Sequence, residues 1–244
     1  MKRSTKLFAL LFTAFPIFTS CVFQSNLVYG NHQLVNKRID IDNYEKIIVN
    51  VSGEVYYQQF SDSTPYLQIH TDENIFNLLD INTQNNQLVI DVKKGNNIKP
   101  SKLVIYTCSH NLNQVSVNGS GDIRLKGEVN ANDLKLSITG SGNLLADSLL
   151  SNKLTVNIIG SGNTILTGAS NESSFTITGS GNIRAYHYLV QELNCRIIGS
   201  GNIEASVFDK LDANITGSGD LYYMGNPQSF DSKVTGSGKV KAVN

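Results

Sequence analysis

The chain has 244 residues, a length that suits one sizeable domain or two small ones. Its 20 Lys and Arg residues balance its 20 Asp and Glu residues, with no basic run and no acidic tail. This balance argues against a nucleic acid or an anionic membrane surface as the binding partner. Charged residues make up only 16% of the chain, and the many amide, hydroxyl and glycine residues suit a surface outside the cytoplasm.

The first 20 residues have the organisation of a bacterial lipoprotein signal peptide. Cationic residues near the start precede an apolar run, which is shorter than a membrane span, and small residues then lead to Cys21. The ending resembles a lipobox, so we predict that Cys21 is lipidated and begins the mature protein. The alternative is ordinary cleavage nearby, which leaves Cys21 unused. Residues 21–33 are predicted to be a tether to a domain over 34–244.

Residues 34–110 predict strands that lack any glycine repeat. Apolar Ile47, Val49 and Val51 alternate along one strand, and Ser52-Gly53 follows as an imperfect corner. A short helix is expected near 73–79, with further strands in 85–95 and 101–108. We expect this part to form the opening strands, and a cap, of one elongated unit.

Residues 111–244 contain seven copies of Gly-Ser-Gly at intervals of 18 to 21 residues. The copies begin at Gly119, Gly140, Gly160, Gly179, Gly199, Gly217 and Gly236. Apolar residues stand two and, in most copies, four positions before each first glycine, and alternation resumes after the corner, as in strands with one buried face. Each copy therefore predicts a strand, a corner, a second strand and a looser polar segment.

A unit of about 20 residues cannot enclose a core alone, but stacked units share one. The predicted fold is an all-β, right-handed parallel β-helix or β-solenoid of GSG[ND] repeats. The right hand rests on the crossover preference of parallel strands. The corner glycines would supply positive φ. The residue after each corner would join a hydrogen-bonded ladder, formed by Asp122, Asn143, Asn163, Asn182, Asn202, Asp220 and Lys239.

Two ligand-binding explanations of the glycines fit less well. A phosphate-binding loop needs a helix after its glycines, whereas a strand follows here. Calcium-binding repeats place Asp in every turn, whereas Asp122 and Asp220 are separated by four Asn copies. We therefore predict no metal and no cofactor.

Ordered landmarks beyond the glycines resemble a known family. "YEKIIVNVSGEVYYQQF", "NNQLVIDVKKG", the serial GSG[DN] corners and "GSGDLYYMGNP" are together similar to the bacterial putative auto-transporter adhesin head GIN domain, over residues 36–243. The resemblance implies a solenoid-like fold and an exported protein attached to the cell envelope. It offers no catalytic residues.

Three functions remain as hypotheses. The first is a non-enzymatic binding or adhesion module for a surface glycan or an envelope protein, with Tyr186, Tyr188, Tyr222 and Tyr223 stacking on sugar rings. The Tyr56-Tyr57 pair is a further candidate for such stacking. Alternatively, all of these rings fill half-buried strand positions. The second is an assembly protein whose end strands pair with other copies or with envelope proteins.

The third function is a polysaccharide-degrading enzyme, as many β-helices are. We do not favour it, because Arg124, Lys135, Arg184 and Glu204 are not expected to form a catalytic column, and Asp147, Glu172, Glu192 and Asp209 fall in the looser segments. From the signal peptide and Cys21 we expect a protein held to the membrane by its N-terminal lipid. The sequence leaves open the side of the outer membrane, the oligomeric state and whether Cys108 pairs with Cys195.

Overall fold

The structure, a computed structural model, describes residues 26–243. It confirms the predicted all-β solenoid, with stacked parallel coils in about 6 turns. The signal peptide and Cys21 lie outside the described residues.

The opening part combines strands that stack on the coils with antiparallel strands that do not. Its elements are β1 Asn26–Tyr29, β2 Leu34–Asp40, β3 Lys46–Val49, β4 Glu54–Gln59, β5 Tyr66–Asp72, α1 Glu73–Phe76, β6 Leu79–Gln84, β7 Gln87–Val92, β8 Asn96–Lys99 and β9 Leu103–Ser109. β3 and β4 pair in parallel with the first coil strands, whereas β2 and β6 run antiparallel to their neighbours β5 and β7 at the outer edges. The short α1 lies within the segment where a helix was predicted.

The strands of the coils follow, the longest of which have 16 to 19 residues and bend as they run from one corner to the next. They are β10 Gln114–Gly119, β11 Asp122–Gly140, β12 Asn143–Gly160, β13 Asn163–Gly179, β14 Asn182–Gly199, β15 Asn202–Gly217, β16 Leu221–Met224, β17 Ser229–Gly236 and β18 Val240–Ala242. Each pairs in parallel with its copy in the next coil, so equivalent residues of neighbouring coils face each other.

The looser segment predicted in each repeat is a third paired side of the coil, which corrects the sequence analysis. Residues 128–133 pair with 148–153, and the ladder continues through later coils. The register shifts at the bend before this side, for example between Leu125 and Glu128 and between Ala146 and Leu149. These bulges absorb the variable repeat length and hide the alternation in the sequence.

The core consists of inward columns that run along the stack. Ile138, Ile158, Ile177 and Ile197 occupy successive coils at one register position, and each is buried. Burial of an Ile side chain contributes about 1.5–3 kcal/mol, so a column of this kind holds neighbouring coils together. Cys195 occupies such an inward position, as predicted.

The Gly-Ser-Gly corners stack directly on one another. The first glycine has a positive φ in all seven copies. The carbonyl oxygen of Gly160 accepts hydrogen bonds from the N–H groups of Ser180 and Gly181, at 2.8 and 3.1 Å, and the other corners repeat this pattern. An added Cβ on Gly179 would lie 2.3 Å from the same oxygen. Glycine is therefore required both by conformation and by close approach.

The predicted polar ladder beside the corners is present. The side-chain amides of Asn163 and Asn182 each donate to the side-chain oxygen of the Asn one coil before, at 3.0 and 2.9 Å. Asn143 donates to Asp122 at the start of the ladder, at 2.8 Å. At the far end the backbone N–H of Lys239 donates to Asp220, at 2.8 Å.

The buried carboxylate of Asp72 holds the N-terminal segment of the domain in place. It accepts hydrogen bonds from the backbone N–H of His32 at 2.8 Å and from the N–H and hydroxyl of Ser101 at 2.7 and 2.6 Å. Burial opposes the charge of this group, but these hydrogen bonds hold the pKa of Asp72 below its ordinary value.

The predicted tether over 21–33 is corrected by these contacts. Asn26–Tyr29 pairs with β8, and the loop after it is bound by Asp72, so the described part of that segment belongs to the folded unit. Backbone pairing with β8, a strand that the sequence analysis did not separate, is the physical reason.

Candidate functional site

One outward-facing column after the corners runs the length of the solenoid, and we call it the outer column. Its members, in order along the stack, are Tyr106, Tyr56, Arg124, Leu145, Ile165, Arg184, Glu204, Tyr222 and Lys241. Neighbouring members come from separate coils, so their side chains stand at the spacing of paired strands, about 4.8 Å. Aromatic rings lie towards both ends, with charged and aliphatic side chains between them.

Two tyrosines at the start of the outer column form a stacked pair. The rings of Tyr56 and Tyr106 have centroids 5.1 Å apart and planes inclined by 17°. Tyr106 is 43% exposed, so this aromatic surface faces solvent. The hydroxyl of Tyr56 donates to the carboxylate of Glu54 at 2.9 Å, and this hydrogen bond raises the pKa of Tyr56.

A polar groove of about 560 Å³ lies beside this pair. Both rings line it, together with Glu54, Lys102 and Asp122. Its volume falls in the range of small-ligand sites. The groove therefore combines flat aromatic surface with carboxylates that accept hydrogen bonds and an ammonium group that donates them.

The four tyrosines predicted as a binding cluster do not act as one surface. Tyr188 is fully buried and shares a 3.0 Å hydrogen bond with the hydroxyl of Ser151, so it is corrected to a core residue. A register shift after Ala185 turns its ring inwards. Tyr223 is half-buried and stacks on Phe230, with ring centroids 5.6 Å apart.

Tyr186 and Tyr222, at the last coils, are partly exposed to solvent. The hydroxyl of Tyr222 donates to Asp220 at 3.0 Å, and this bond raises the pKa of Tyr222. Burial raises the pKa of Tyr186, and the nearby Glu204 and Tyr222 add to the effect. Tyr222 thus repeats the hydroxyl–carboxylate contact of Tyr56 at the other end of the column, away from the polar groove.

Charged residues are brought together in ways that the sequence did not predict. Arg124, Arg184 and Glu204 share the outer column, in which Leu145 and Ile165 separate the two arginines; they were expected not to form a catalytic column. Lys135 lies elsewhere, on the strand that precedes the corner. Arg124 is paired with Asp147 of the next coil at 2.7 Å. Arg124, Arg184 and Glu204 each stand five residues after the first glycine of a corner, so the repeat spacing alone sets their register. Asp147 instead lies in a bulge that was not readable from the sequence.

The acidic residues of the third side also become neighbours. Glu172 and Glu192 occupy equivalent positions in adjacent coils, and Lys153 and Lys210 flank them in the same ladder. Lys153 approaches Glu172 to 3.6 Å, with both side chains more than half exposed. Solvent screens a pair of this kind, so it adds little to stability.

An apolar groove lies on the third side of the coils. Leu150, Ala169 and Leu189 stand at equivalent positions in three coils, and Phe208 closes the far end. The groove measures about 440 Å³ and is lined only by uncharged residues. The small side chain of Ala169 leaves a depression between the two exposed leucines.

The described residues include no group of three or more His, Cys, Asp or Glu side chains that could hold a metal ion. Within 26–243 no helix is long and apolar enough to cross a membrane. Cys108 and Cys195 are both buried and free, and burial raises the pKa of each thiol.

Fold and surface together define a repeat protein of the parallel β-solenoid class, with outward columns of polar, aromatic and apolar side chains. The chain belongs to the family described as putative auto-transporter adhesin, head GIN domain, whose profile matches residues 43–227. The family resemblance found in the sequence is thereby confirmed.

Several solved structures have a fold similar to that of this chain. A putative adhesin from Bacteroides fragilis is 26% identical, with a TM-score of 0.85, and the match covers 88% of this chain and 100% of that one. A putative adhesin from Parabacteroides merdae is 30% identical, with a TM-score of 0.74 and coverage of 90% and 100%. A putative lipid binding protein from Parabacteroides distasonis is 27% identical, with a TM-score of 0.78 and the same coverage. No curated protein matches the chain.

Proposed function

We propose that this protein is an exported lipoprotein of the bacterial cell envelope that binds glycans without catalysing a reaction. The adhesin-like family supports an exported or surface protein. The N-terminal sequence supports a lipid anchor at Cys21. The names of the structural relatives, adhesins and a binding protein, favour binding over catalysis.

The stacked Tyr56 and Tyr106 rings beside the polar groove carry the proposal. The apolar face of a sugar ring packs on an exposed aromatic ring, and its hydroxyl groups need hydrogen-bond partners at the edge. Glu54 and Asp122 accept such hydrogen bonds, and Lys102 donates them. Because the two rings already stack on each other, little side-chain entropy is lost when a ligand binds.

Binding to a glycan array, followed by titration of the best ligand, tests this site. Tyr56→Ala and Tyr106→Ala should each weaken binding by about tenfold or more, as expected for aromatic anchors. Tyr222→Ala is the matched control, because Tyr222 has the same hydroxyl–carboxylate contact outside the groove. Unchanged affinity in both groove variants would refute the site. A loss confined to Tyr186→Ala, Tyr222→Ala and Tyr223→Ala would place the ligand at the last coils instead.

The anchor is tested separately from the ligand. Labelled palmitate should be incorporated into the wild-type protein and not into Cys21→Ser. Proteolysis of intact cells then shows whether the protein faces outwards, as an adhesin must. Labelling of the Cys21→Ser protein would contradict the anchor without affecting the glycan site.

A second candidate function is binding of an aliphatic chain, and the apolar groove is the observation that favours it. The relative named as a putative lipid binding protein shares this fold. A fluorescent fatty acid should bind the wild-type protein, and Leu189→Asp should weaken this binding by about tenfold, because it places a charge in the groove. Ile165→Asp is the control, since Ile165 is a similarly exposed aliphatic residue on the outer column. An equal loss of fatty-acid binding in both variants would argue against the groove as the binding site.

A further inference from the structure

The last coil presents an unpartnered edge to solvent. β17 pairs only with β15, and among residues 26–243 no strand pairs with its other side. Phe230 and Val234 stand at inward positions but are 47% and 40% exposed, whereas their counterparts one coil earlier, Leu211 and Ile215, are fully buried. An edge of this kind is a template for pairing with another strand.

The sequence of β17 is symmetric about Ser232 in the properties that matter for pairing. Phe230 and Val234, both apolar and inward, flank Ser232 at two positions on either side. Asp231 and Lys233, of opposite charge and outward, flank it at one position. In an antiparallel pair centred on Ser232, Phe230 of each copy faces Val234 of the other, and Asp231 faces Lys233.

We propose that two copies of this chain join at their last coils by antiparallel pairing of β17 about a two-fold axis at Ser232. In this register inward residues face inward residues and outward residues face outward residues, so each inward side chain stays on the core side. The two solenoid cores thus become continuous, and the exposed Phe230 and Val234 are covered. The two Asp231–Lys233 contacts place opposite charges directly across the strands, which stabilises a pair.

A closed dimer also agrees with the difference between the two ends of the solenoid. The opening end is finished by the antiparallel strands β2 and β6, which no coil repeats. Pairing of β17 with itself is isologous and stops at two copies, whereas pairing of the last coil with the opening end would continue into a filament. A lysine such as Lys233 deters unspecific pairing of an edge strand. It faces an opposite charge, Asp231 of the other copy, only when the two strands pair symmetrically about Ser232.

Charge reversal tests this arrangement in the full chain carrying Cys21→Ser, so that the lipid does not drive association. The parent protein should sediment as a dimer that dissociates on dilution. Asp231→Lys and Lys233→Asp should each raise the dissociation constant by about tenfold or more, because each puts two pairs of like charges across the axis. Mixing the two variants should restore a dimer, since the charges are again opposite. Asp133→Lys, an exposed charge reversal far from the edge, should have no effect.

A cysteine scan tests the register. Ser232→Cys should form a disulfide-linked dimer on mild oxidation, because the two residues face each other at the axis. Ser229→Cys should not, because its two copies would stand about 20 Å apart. Cys108 and Cys195 are buried and do not compete. The proposal would be overturned by a protein that stays monomeric at all concentrations, by a polymer that grows with concentration, or by equal cross-linking at positions 229 and 232. The glycan-binding experiment tests a different surface of the protein.

Discussion

Replacement of Gly179 by Ala measures how much the stacked corners contribute to stability. Gly179 has a φ of +128°, a conformation that costs an L-residue about 1–3 kcal/mol. The added Cβ would also lie 2.3 Å from the oxygen of Gly160, whereas ordinary contact begins near 3.4 Å. The two corners must therefore separate by about 1 Å.

That separation affects the hydrogen bonds that the same oxygen accepts. The N–H groups of Ser180 and Gly181 lie 2.8 and 3.1 Å from it, and a shift of this size takes both beyond hydrogen-bonding distance. Two such bonds contribute about 1–3 kcal/mol. We expect Gly179→Ala to lower the free energy of unfolding by about 2–6 kcal/mol in total.

Gly119→Ala is the matched control, measured by urea unfolding under the same conditions. Gly119 also has a positive φ, of +98°, but its added Cβ meets no atom within 4 Å. Only the conformational cost of about 1–3 kcal/mol should remain. The difference between the two variants therefore isolates the stacking of corners. If both lose the same stability, the close approach of the corners does not matter and the reasoning is wrong.

Three further predictions concern the ladder, the core and the opening contacts. Asn182→Ala should cost about 1–3 kcal/mol in thermal or urea unfolding, since it removes hydrogen bonds to both neighbouring coils, while the exposed Asn171→Ala should cost less; equal losses would contradict the ladder's role. Thr164→Val should stabilise the protein by about 1 kcal/mol, because the buried Thr164 hydroxyl has no partner in the described chain; a loss of stability would show that the hydroxyl is satisfied. Wild-type stability should fall as the pH drops below about 4, the ordinary pKa of Asp, towards the lowered pKa of Asp72 in the folded protein. Asp72→Asn should reduce stability at neutral pH and flatten this dependence; an unchanged pH profile would exclude Asp72 as the cause.

The sequence by itself determined the repeating part of the fold. Period-two alternation fixes which strand face is buried, and the Gly-Ser-Gly spacing fixes where each coil turns. The Asn ladder followed as well, because identical residues at identical repeat positions meet when coils stack in register. These features depend only on local pattern and repetition, so no tertiary information was needed.

The tertiary structure alone decided which outward residues are neighbours in the opening part and beyond the bulges. Tyr56 meets Tyr106 because β9 pairs beside β4 after an antiparallel excursion that has no repeat to reveal it. Tyr188 turned out to be buried because a bulge shifts the alternation at that point. Beyond each bend, outward contacts depend on where the bulges absorb the variable repeat length, because the bulges set the register between coils there. Since a shift of one residue exchanges the two faces of a strand, the candidate site could be located only once the pairing was known.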